Sequence, residues 1–312
     1  MHIKNIPPGS SLKSVIVVAG ATGVGKTEVA LELARHFKTE IISADSRQCF
    51  KELNIGVARP SSMELDTVPH HFIASHTLQE KVDAAVFEQY SLQKVAAIFE
   101  HHNTVIMAGG TGLYIKTFCE GIDPIPAVSE ELRSLIKQRY LEKGLGWLQR
   151  EVAEKDPDFY KSGEIQNPQR LMRALEIIES TGMSVLKFRT GNKTMRDFNI
   201  VKIGLELPKE ELHRNINSRV DKMMNNGLVQ EVEQLKQYRH LNALQTVGYT
   251  EIFDFLENKI SLQEATELIK KNTRQYAKRQ LTWFRKDKDI RWFSPRETAK
   301  IIAWLENVLP DH

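Results

Sequence analysis

The chain has few cysteines and no long apolar run, and these two absences exclude several classes of protein. Only Cys49 and Cys119 occur among 312 residues, far apart and outside any CxxC spacing. They therefore give neither a disulfide framework nor a zinc site, and we expect both to be small buried apolar groups. No stretch reaches the length of a membrane span, and the polar segment Met1–Lys13 lacks the apolar core of a signal peptide. These features predict a cytoplasmic protein with no membrane partner.

The sequence also lacks repeats, low-complexity tracts and any sign of disorder. Its hydrophobic content of 41% and charged content of 27% are ordinary for a globular protein. A chain of this length can bury a sizeable core, and about 150 residues per domain suggests two units.

The most informative segment that is present is Gly20–Thr27, which matches the phosphate-binding pattern G-x-x-x-x-G-K-[ST]. It lies between an apolar strand pattern, Val15–Ala19, and a helical pattern, Glu28–Phe37. Glycines let the backbone N–H groups turn inward, and the helix N-terminus adds its positive dipole end. We therefore predict a polyphosphate here, with a point charge from Lys26 and a hydroxyl from Thr27 to a shared Mg²⁺ ion. The predicted loop comprises Gly20, Ala21, Thr22, Gly23, Val24, Gly25, Lys26 and Thr27.

Strand patterns alternate with helical patterns along much of the chain. The predicted strands are Ser14–Ala19, Ile41–Ala44, Thr104–Ala108 and Asn199–Leu207. This alternation predicts an α/β fold: an open parallel sheet of the P-loop NTPase type, with helices on both faces and ligands at the carboxyl ends of the strands. A charged helical stretch interrupts it, and helices dominate after Pro208. We divide the chain into an α/β core (1–122), a helical insertion (123–198), and a return strand with a basic helical C-terminal region (199–312).

The catalytic carboxylate decides the class of reaction, because phosphate loops serve ATPases, GTPases, small-molecule kinases and some transferases. Asp45 follows the second predicted strand, whereas the third ends in Met107–Gly110 without an acid. Asp45 could hold Mg²⁺, as in nucleotide hydrolases, or act as a general base, which contributes roughly 10² to 10⁴ in rate. The residues favour the base and leave the metal role open.

Positive charge is concentrated near the C-terminus, although the net charge is only +3. Lys270–Arg291, the basic segment, contains nine basic and two acidic residues. Its aromatic neighbours suit a nucleic-acid backbone. The alternative is a solvated helix face with aromatics in the core, which the helical spacing of Tyr276, Gln280 and Phe284 favours. Both interpretations stay open on charge and spacing alone. The aromatics concerned are Tyr276, Trp283, Phe284, Trp292 and Phe293.

Eight motifs together resemble the bacterial tRNA dimethylallyltransferase family. They run in family order from residue 14 to about 290, and are far more specific in combination than the phosphate loop alone. The motifs are Gly20–Thr27, Ile41–Gln48, Leu53–Gly56, Pro69–His71, Gly109–Tyr114, Asn167–Glu176, Val247–Tyr249 and Arg279–Arg285.

The resemblance implies a prenyl transfer. Dimethylallyl diphosphate would donate its five-carbon group to the N6 amine of the adenosine at position 37, in the anticodon stem-loop of a tRNA. The phosphate loop would then hold the donor's diphosphate, with Mg²⁺ as the cofactor at Thr27. The resemblance assigns catalytic roles to Asp45 as the base, Thr22, Lys26, and Arg219 as a second cation. An alternative for Arg219 is a helix-surface salt bridge with Asp221, or packing on the methionine face nearby. We expect a monomer.

The resemblance also implies a set of tRNA contacts. A buried adenine must leave the anticodon-loop stack, which costs least in a single-stranded loop. The basic segment then becomes an expected contact with the RNA backbone. The implied contacts are Asp45, Ser46, Arg47, Gln48, Thr111, Arg133, Gln169, Arg170, Leu171, Met172, Arg173, Val247, Gly248 and Tyr249.

Some positions depart from the usual pattern of the family. Ala21 replaces a proline, Cys49-Phe50 replaces a Val-Tyr pair, and Thr250-Glu251 replaces an Arg-Gln pair. The last change removes a positive charge near the expected RNA path. His70-His71 matches the family but has no metal-ligand neighbours in sequence, which predicts a packed structural pair.

Two other functions remain as alternatives. An adenylate isopentenyltransferase would use free nucleotides, but a small acceptor needs neither the helical insertion nor the basic segment. A P-loop kinase or NTPase would instead turn over ATP without any prenyl donor.

Overall fold

The structure, a computed structural model, describes residues 13–163, 165–191 and 193–310. The prediction that the N-terminal segment lacks a signal peptide concerns Met1–Lys13, and residues 1–12 lie outside the described part. The chain divides into two compact units. Unit 1 comprises the described residues of Met1–Cys119 and Met195–His312, and unit 2 comprises those of Glu120–Thr194.

A single sheet of six strands forms the centre of unit 1 in the described residues. The strands are β1 (Ser14–Gly20), β2 (Ile41–Ser43), β3 (His70–His71), β4 (Thr104–Gly109), β5 (Asn199–Leu205) and β6 (Arg291–Phe293). Their order is β3-β2-β4-β1-β5-β6, and every adjacent pair is parallel. All seven residues of β1 are buried, in keeping with its run of valines and isoleucine at the middle of the sheet. The predicted open parallel α/β sheet is confirmed.

Helices cover both faces of this sheet. Since alternate residues of each strand face opposite sides, one strand contributes to the core on each face. The helices are α1 (Lys26–His36), α2 (Ser62–Thr67), α3 (Ala84–Ile98), α4 (Gly112–Glu120), α5 (Glu130–Lys155), α6 (Pro157–Ser162), α7 (Pro168–Thr181), α8 (Val185–Phe188), α9 (Lys209–Asn225), α10 (Leu228–Gln234), α11 (Tyr249–Leu256), α12 (Leu262–Phe284) and α13 (Thr298–Val308). Val15 and Val17 belong to a core with α3, α4, α10, α11 and α12, whereas Ile16 and Val18 pack with α1, α9 and α13. Two short 3₁₀ turns occupy Lys236–Tyr238 and Asn242–Leu244.

Unit 2 is helical and has a core of its own. Helix α5 is kinked at Gly144, whose φ of 74° is left-handed. Helix α7 is capped at its N-terminus by Asn167, whose side chain accepts the N–H groups of Gln169 and Arg170, and at its C-terminus by the left-handed Gly182. Its apolar face packs against α5 through a cluster that includes Trp147, Leu148, Leu171 and Leu175.

The structure adds two edge strands that the sequence patterns did not predict. Strands β3 and β6 have two and three residues, too few to show a period of two. Neither Cys49 nor Cys119 forms a disulfide; Cys49 is buried as expected, whereas Cys119 is only half-buried. Among the described residues, no helix combines the length and apolarity that crossing a membrane would require.

Candidate active site

The phosphate loop lies at the carboxyl end of β1 and leads into α1. Gly23 and Gly25 have φ values of 78° and 100°, a conformation that a side chain would strain. Lys26 Nζ donates to the carbonyl of Ala21 at 2.8 Å. Burial, reinforced by the charge of Arg219 and opposed by Asp45, lowers the pKa of Lys26 to about 7. Lys26 is half-buried and its amine has few counter-charges, so an anion beside it would stabilise the charged form.

A cavity of about 510 Å³, the first cavity, opens beside this loop. Lys26 and Thr27 line it on the loop side. Helix α9 contributes a polar stripe of four residues spaced three and four apart, Asn215, Ser218, Arg219 and Lys222. The cavity thus has a cationic wall suited to a multiply charged phosphate.

Arg219 joins helix α9 to the phosphate loop. Its Nη1 donates to Thr22 Oγ1 at 3.3 Å, and its Nη2 donates to the carbonyl of Ala58 at 3.4 Å. Burial lowers its pKa, and Asp45 opposes that change. The alternative salt bridge with Asp221 is not observed: the Arg219 guanidinium donates to Thr22 and Ala58, and Asp221 pairs with Lys270 at 2.8 Å.

Asp45 begins a tight turn at the end of β2. Its Oδ1 accepts the backbone N–H groups of Arg47 at 2.9 Å and Gln48 at 3.3 Å. The next residue, Ser46, donates its N–H to Thr111 Oγ1 at 3.0 Å. These bonds fix the Asp45 carboxylate and tie its turn to the loop after β4.

The side chains of Arg47 and Gln48 serve mainly to hold neighbouring segments. Gln48 accepts from Ser43 Oγ at 3.1 Å and donates to the carbonyls of Val57 and Ala58. Arg47 donates to the carbonyls of Ser46 and Asn242.

A second cavity of about 340 Å³ meets the first at Asp45. Its apolar lining includes Ile216, Val220, Met223 and Ile269, and the predicted contacts Val247 and Gly248 also line it. The residues that line both cavities are Thr22, Asp45, Val57, Arg219 and Tyr276. A cationic cavity and a cavity with an apolar side therefore join at a carboxylate.

Two supporting residues were missed in the sequence. Gln280 links Thr22 to Gly110 by hydrogen bonds of 2.9 and 2.8 Å, and Glu231 accepts the N–H groups of Asn54, Ile55 and Gly56. Gln280 stands in a quoted motif but was interpreted only as a core position. No local pattern marks Glu231, because its partners lie about 175 residues earlier.

Three of the predicted tRNA contacts are corrected by burial. Leu171 and Met172 face the core of unit 2 and are 0% and 7% exposed, so their side chains pack rather than meet RNA. Tyr249 is completely buried, and its hydroxyl donates to Glu231 at 2.7 Å. The side chains of Gln169 and Arg170 are exposed at the start of α7.

Arg133 and Arg173 are half-buried in unit 2. Both pair with Glu176, at 3.7 and 3.1 Å, and Arg133 also pairs with Glu130. The structure thus gives each a partner within the unit, and their predicted RNA contact stays a prediction.

The basic segment divides between core and surface. Phe284 is buried, and Trp292 and Phe293 belong to β6, so the core interpretation holds for these aromatics. Tyr276 instead is 38% exposed and lines both cavities; partial desolvation of its hydroxyl and the nearby charge of Asp45 raise its pKa to about 12. The exposed cations of the segment are Lys271, Lys278, Arg279, Arg285, Lys286, Lys288 and Arg291.

The histidine pair has protein partners. His70 Nδ1 lies 2.7 Å from the carbonyl of Val68, and His71 Nε2 lies 2.5 Å from Glu40 Oε2. Across the described residues, no group of three or more histidine, cysteine or acidic side chains could hold a metal ion.

Comparison with known proteins identifies the family. The model of the IPP transferase family matches residues 48–287, which is more than half of the chain. The chain belongs to the IPP transferase family. The family relation predicted from the eight motifs is thereby confirmed.

Several relatives are similar to this IPP transferase family member over nearly its full length. The tRNA dimethylallyltransferase of Cytophaga hutchinsonii is 44% identical, over 96% of this chain and 98% of its own. That of Christiangramia forsetii is 45% identical, over 94% and 97%.

Solved structures support the same relation. The tRNA isopentenylpyrophosphate transferase of Bacillus halodurans has a TM-score of 0.71 and 31% identity, covering 95% of this chain and 97% of its own. A eukaryotic dimethylallyltransferase described as acting on tRNA has a TM-score of 0.76 and 26% identity, covering 95% and 76%.

Proposed function

We propose that this protein transfers a dimethylallyl group from dimethylallyl diphosphate to the N6 amine of the adenosine at position 37 of tRNA. The products are isopentenyladenosine and diphosphate. The observation that carries the proposal is the meeting, at Asp45, of a cationic cavity and a second cavity with an apolar side formed by Ile216, Val220, Met223 and Ile269. One cavity suits the diphosphate, and the other suits an uncharged group that must come within reach of the carboxylate.

The first cavity binds the donor's diphosphate. Backbone N–H groups of the phosphate loop, Lys26 and Arg219 surround the phosphate oxygens. Their charge stabilises the negative charge that develops on the leaving oxygen as the C–O bond breaks. Thr22, already bonded to Arg219, stands between this charge and the acceptor.

Asp45 receives the acceptor amine. The adenine nitrogen forms a bond to the allylic carbon, diphosphate leaves with the electron pair of the C–O bond, and a proton passes from the amine to the Asp45 carboxylate. An exocyclic amine is a weak nucleophile, so its orientation matters as much as proton removal. The two hydrogen bonds to Asp45 Oδ1 supply that orientation by fixing the carboxylate.

Mg²⁺ fits this site through Thr27. Thr27 is exposed and lines the first cavity. Mg²⁺ retains several waters and binds through one or two protein groups together with substrate phosphates, so the lack of an acidic cluster is no obstacle. Bound there, the ion would neutralise charge on the departing diphosphate.

Each unit presents residues that contact tRNA. In unit 1 these contacts come from Ser46, Arg47, Gln48, Thr111, Val247, Gly248 and the basic segment; in unit 2 they come from Arg133, Gln169, Arg170 and Arg173. Exposed cations of both units attract the RNA backbone. The protein acts in the cytoplasm as a monomer.

The direct test incubates the protein with Mg²⁺, labelled dimethylallyl diphosphate and unmodified tRNA, and then digests the RNA to nucleosides. Labelled isopentenyladenosine is expected. Parallel reactions contain AMP in place of tRNA, or ATP without any prenyl donor. Modification of AMP alone would indicate an adenylate isopentenyltransferase, and ATP turnover alone would indicate an NTPase; either result would contradict the proposal.

A further inference from the structure

The side-chain amide of Gln280 is a buried polar group that neither holds phosphate nor removes a proton in the reaction above. It projects from α12 and is 6% exposed. Its Oε1 accepts the N–H of Thr22 at 2.9 Å, and its Nε2 donates to the carbonyl of Gly110 at 2.8 Å. A single amide thus joins two loops that are far apart in sequence.

These two loops carry different parts of the site. Thr22 belongs to the phosphate loop, and its hydroxyl accepts from Arg219. Gly110 precedes Thr111, whose hydroxyl accepts the N–H of the residue after Asp45. Gln280 therefore lies between the groups that hold the diphosphate and the turn that carries the base.

The chemistry of the two partners requires an uncharged amide. The N–H of Thr22 can only donate and the carbonyl of Gly110 can only accept, so the orientation of the Gln280 amide is fixed. A carboxylate could not donate to Gly110, and an aliphatic group would leave two buried polar groups unpaired.

The contact is also tight. A Cβ built on Gly110 would lie 2.3 Å from Gln280 Nε2, so this position has no room for a side chain unless Gln280 shifts. One turn earlier on α12, Tyr276 lines both cavities. The same helix face therefore reaches both halves of the site.

We propose that Gln280 is a positioning residue that sets the distance between the phosphate loop and the Asp45 turn. The allylic carbon of the bound donor and the acceptor amine then meet within bonding distance. This inference rests on the proposed prenyl transfer. A misplacement of about 1 Å between reacting groups can cost about 100-fold in rate.

The first test compares Gln280→Leu with Asn272→Leu. Asn272 is also an amide on α12, and it donates to Glu251 Oε1 at 2.7 Å but lines neither cavity. We expect Gln280→Leu to lower kcat about 100-fold per folded molecule, while the Kd of an unreactive donor analogue changes less than about threefold. Asn272→Leu should lower the Tm but leave kcat within about threefold of wild type. A Gln280→Leu kcat equal to that of the control would overturn the inference.

A second variant, Gln280→Glu, decides the matter even if the leucine variant does not fold. The glutamate keeps an acceptor for Thr22, but only its protonated form can donate to Gly110. Burial raises the pKa of a carboxyl, so the ratio of variant to wild-type kcat should rise several-fold from pH 8 to pH 6. A ratio that is independent of pH would contradict the positioning role. If wild type itself transfers no prenyl group, the proposed function fails and the inference falls with it; if wild type is active and the variants match it, only the inference fails.

Discussion

Binding of the diphosphate donor should take up a proton at Lys26. Without donor, burial and the charge of Arg219 lower the pKa of this amine to about 7, despite the opposing effect of Asp45. A diphosphate beside Nζ favours the charged ammonium and therefore raises the pKa. Lysines that are neutral before binding must then gain a proton when the donor binds.

The size of this uptake follows from the pKa. With a value of about 7, roughly 0.9 of the Lys26 side chains are neutral at pH 8 and roughly 0.1 at pH 6. Each donor should therefore take up about 0.9 proton at pH 8 and about 0.1 at pH 6. The contribution of this lysine to donor affinity is therefore greatest below pH 7. Above pH 7 the donor Kd should rise, approaching a tenfold increase per pH unit.

Isothermal titration calorimetry measures the uptake directly. An unreactive donor analogue is titrated at each pH in two buffers with different heats of ionisation, and the difference in heat gives the number of protons. Lys26→Arg is the control, because arginine stays charged throughout this range; it reports any protons that belong to the analogue itself. No uptake by wild type at pH 8, or equal uptake by both proteins, would refute the pKa assignment.

Three further variants test other parts of the site. Asp45→Asn keeps an oxygen that can accept the N–H groups of the turn but removes the base. Single-turnover prenyl transfer should therefore slow by about 10²- to 10⁴-fold, with the donor Kd nearly unchanged. A rate within threefold of wild type would show that Asp45 is not the base. Arg219→Ala removes a charged phosphate contact worth roughly 1.5 to 3 kcal/mol and should raise donor Kd about 10- to 150-fold. Arg214 is exposed on the same helix, so Arg214→Ala should change the donor Kd little. A similar rise in Kd for both variants would argue against a specific contact between Arg219 and the diphosphate. Glu231→Gln weakens the acceptor of three N–H groups and should lower the free energy of unfolding by about 2 kcal/mol in urea denaturation. Glu233 is exposed on α10, so Glu233→Gln should change the free energy of unfolding by less than about 0.5 kcal/mol. Equal stabilities of the two variants would contradict the structural role of Glu231.

Much of the sheet could be predicted because its central strands have strong local signals. Strand β1 is a continuous apolar run that ends in the glycine pattern, and Asp45 follows β2 by two residues. Parallel strands place their carboxyl ends together, so the proximity of Asp45 to the phosphate loop followed from topology. Strands β3 and β6 gain their pairing from the tertiary structure and carry no comparable signal.

Residue roles at the site were harder to predict, because they depend on partners distant in sequence. The link between Thr22 and Gln280 spans 258 positions. The error at Leu171 and Met172 was avoidable: with Leu175, these residues form the apolar stripe of α7, and helical periodicity assigns them to a core. A motif shared with a family identifies important positions but does not separate those that contact RNA from those that support them.

We propose above all that the phosphate loop binds a prenyl diphosphate next to the general base Asp45. A crystal structure with an unreactive analogue of dimethylallyl diphosphate and an anticodon stem-loop tests it most directly. We predict the diphosphate against Lys26 and Arg219, with the target adenine N6 within hydrogen-bonding distance of Asp45. A structure in which the first cavity lacks the analogue, or in which Asp45 is turned away from the adenine, would contradict this proposal.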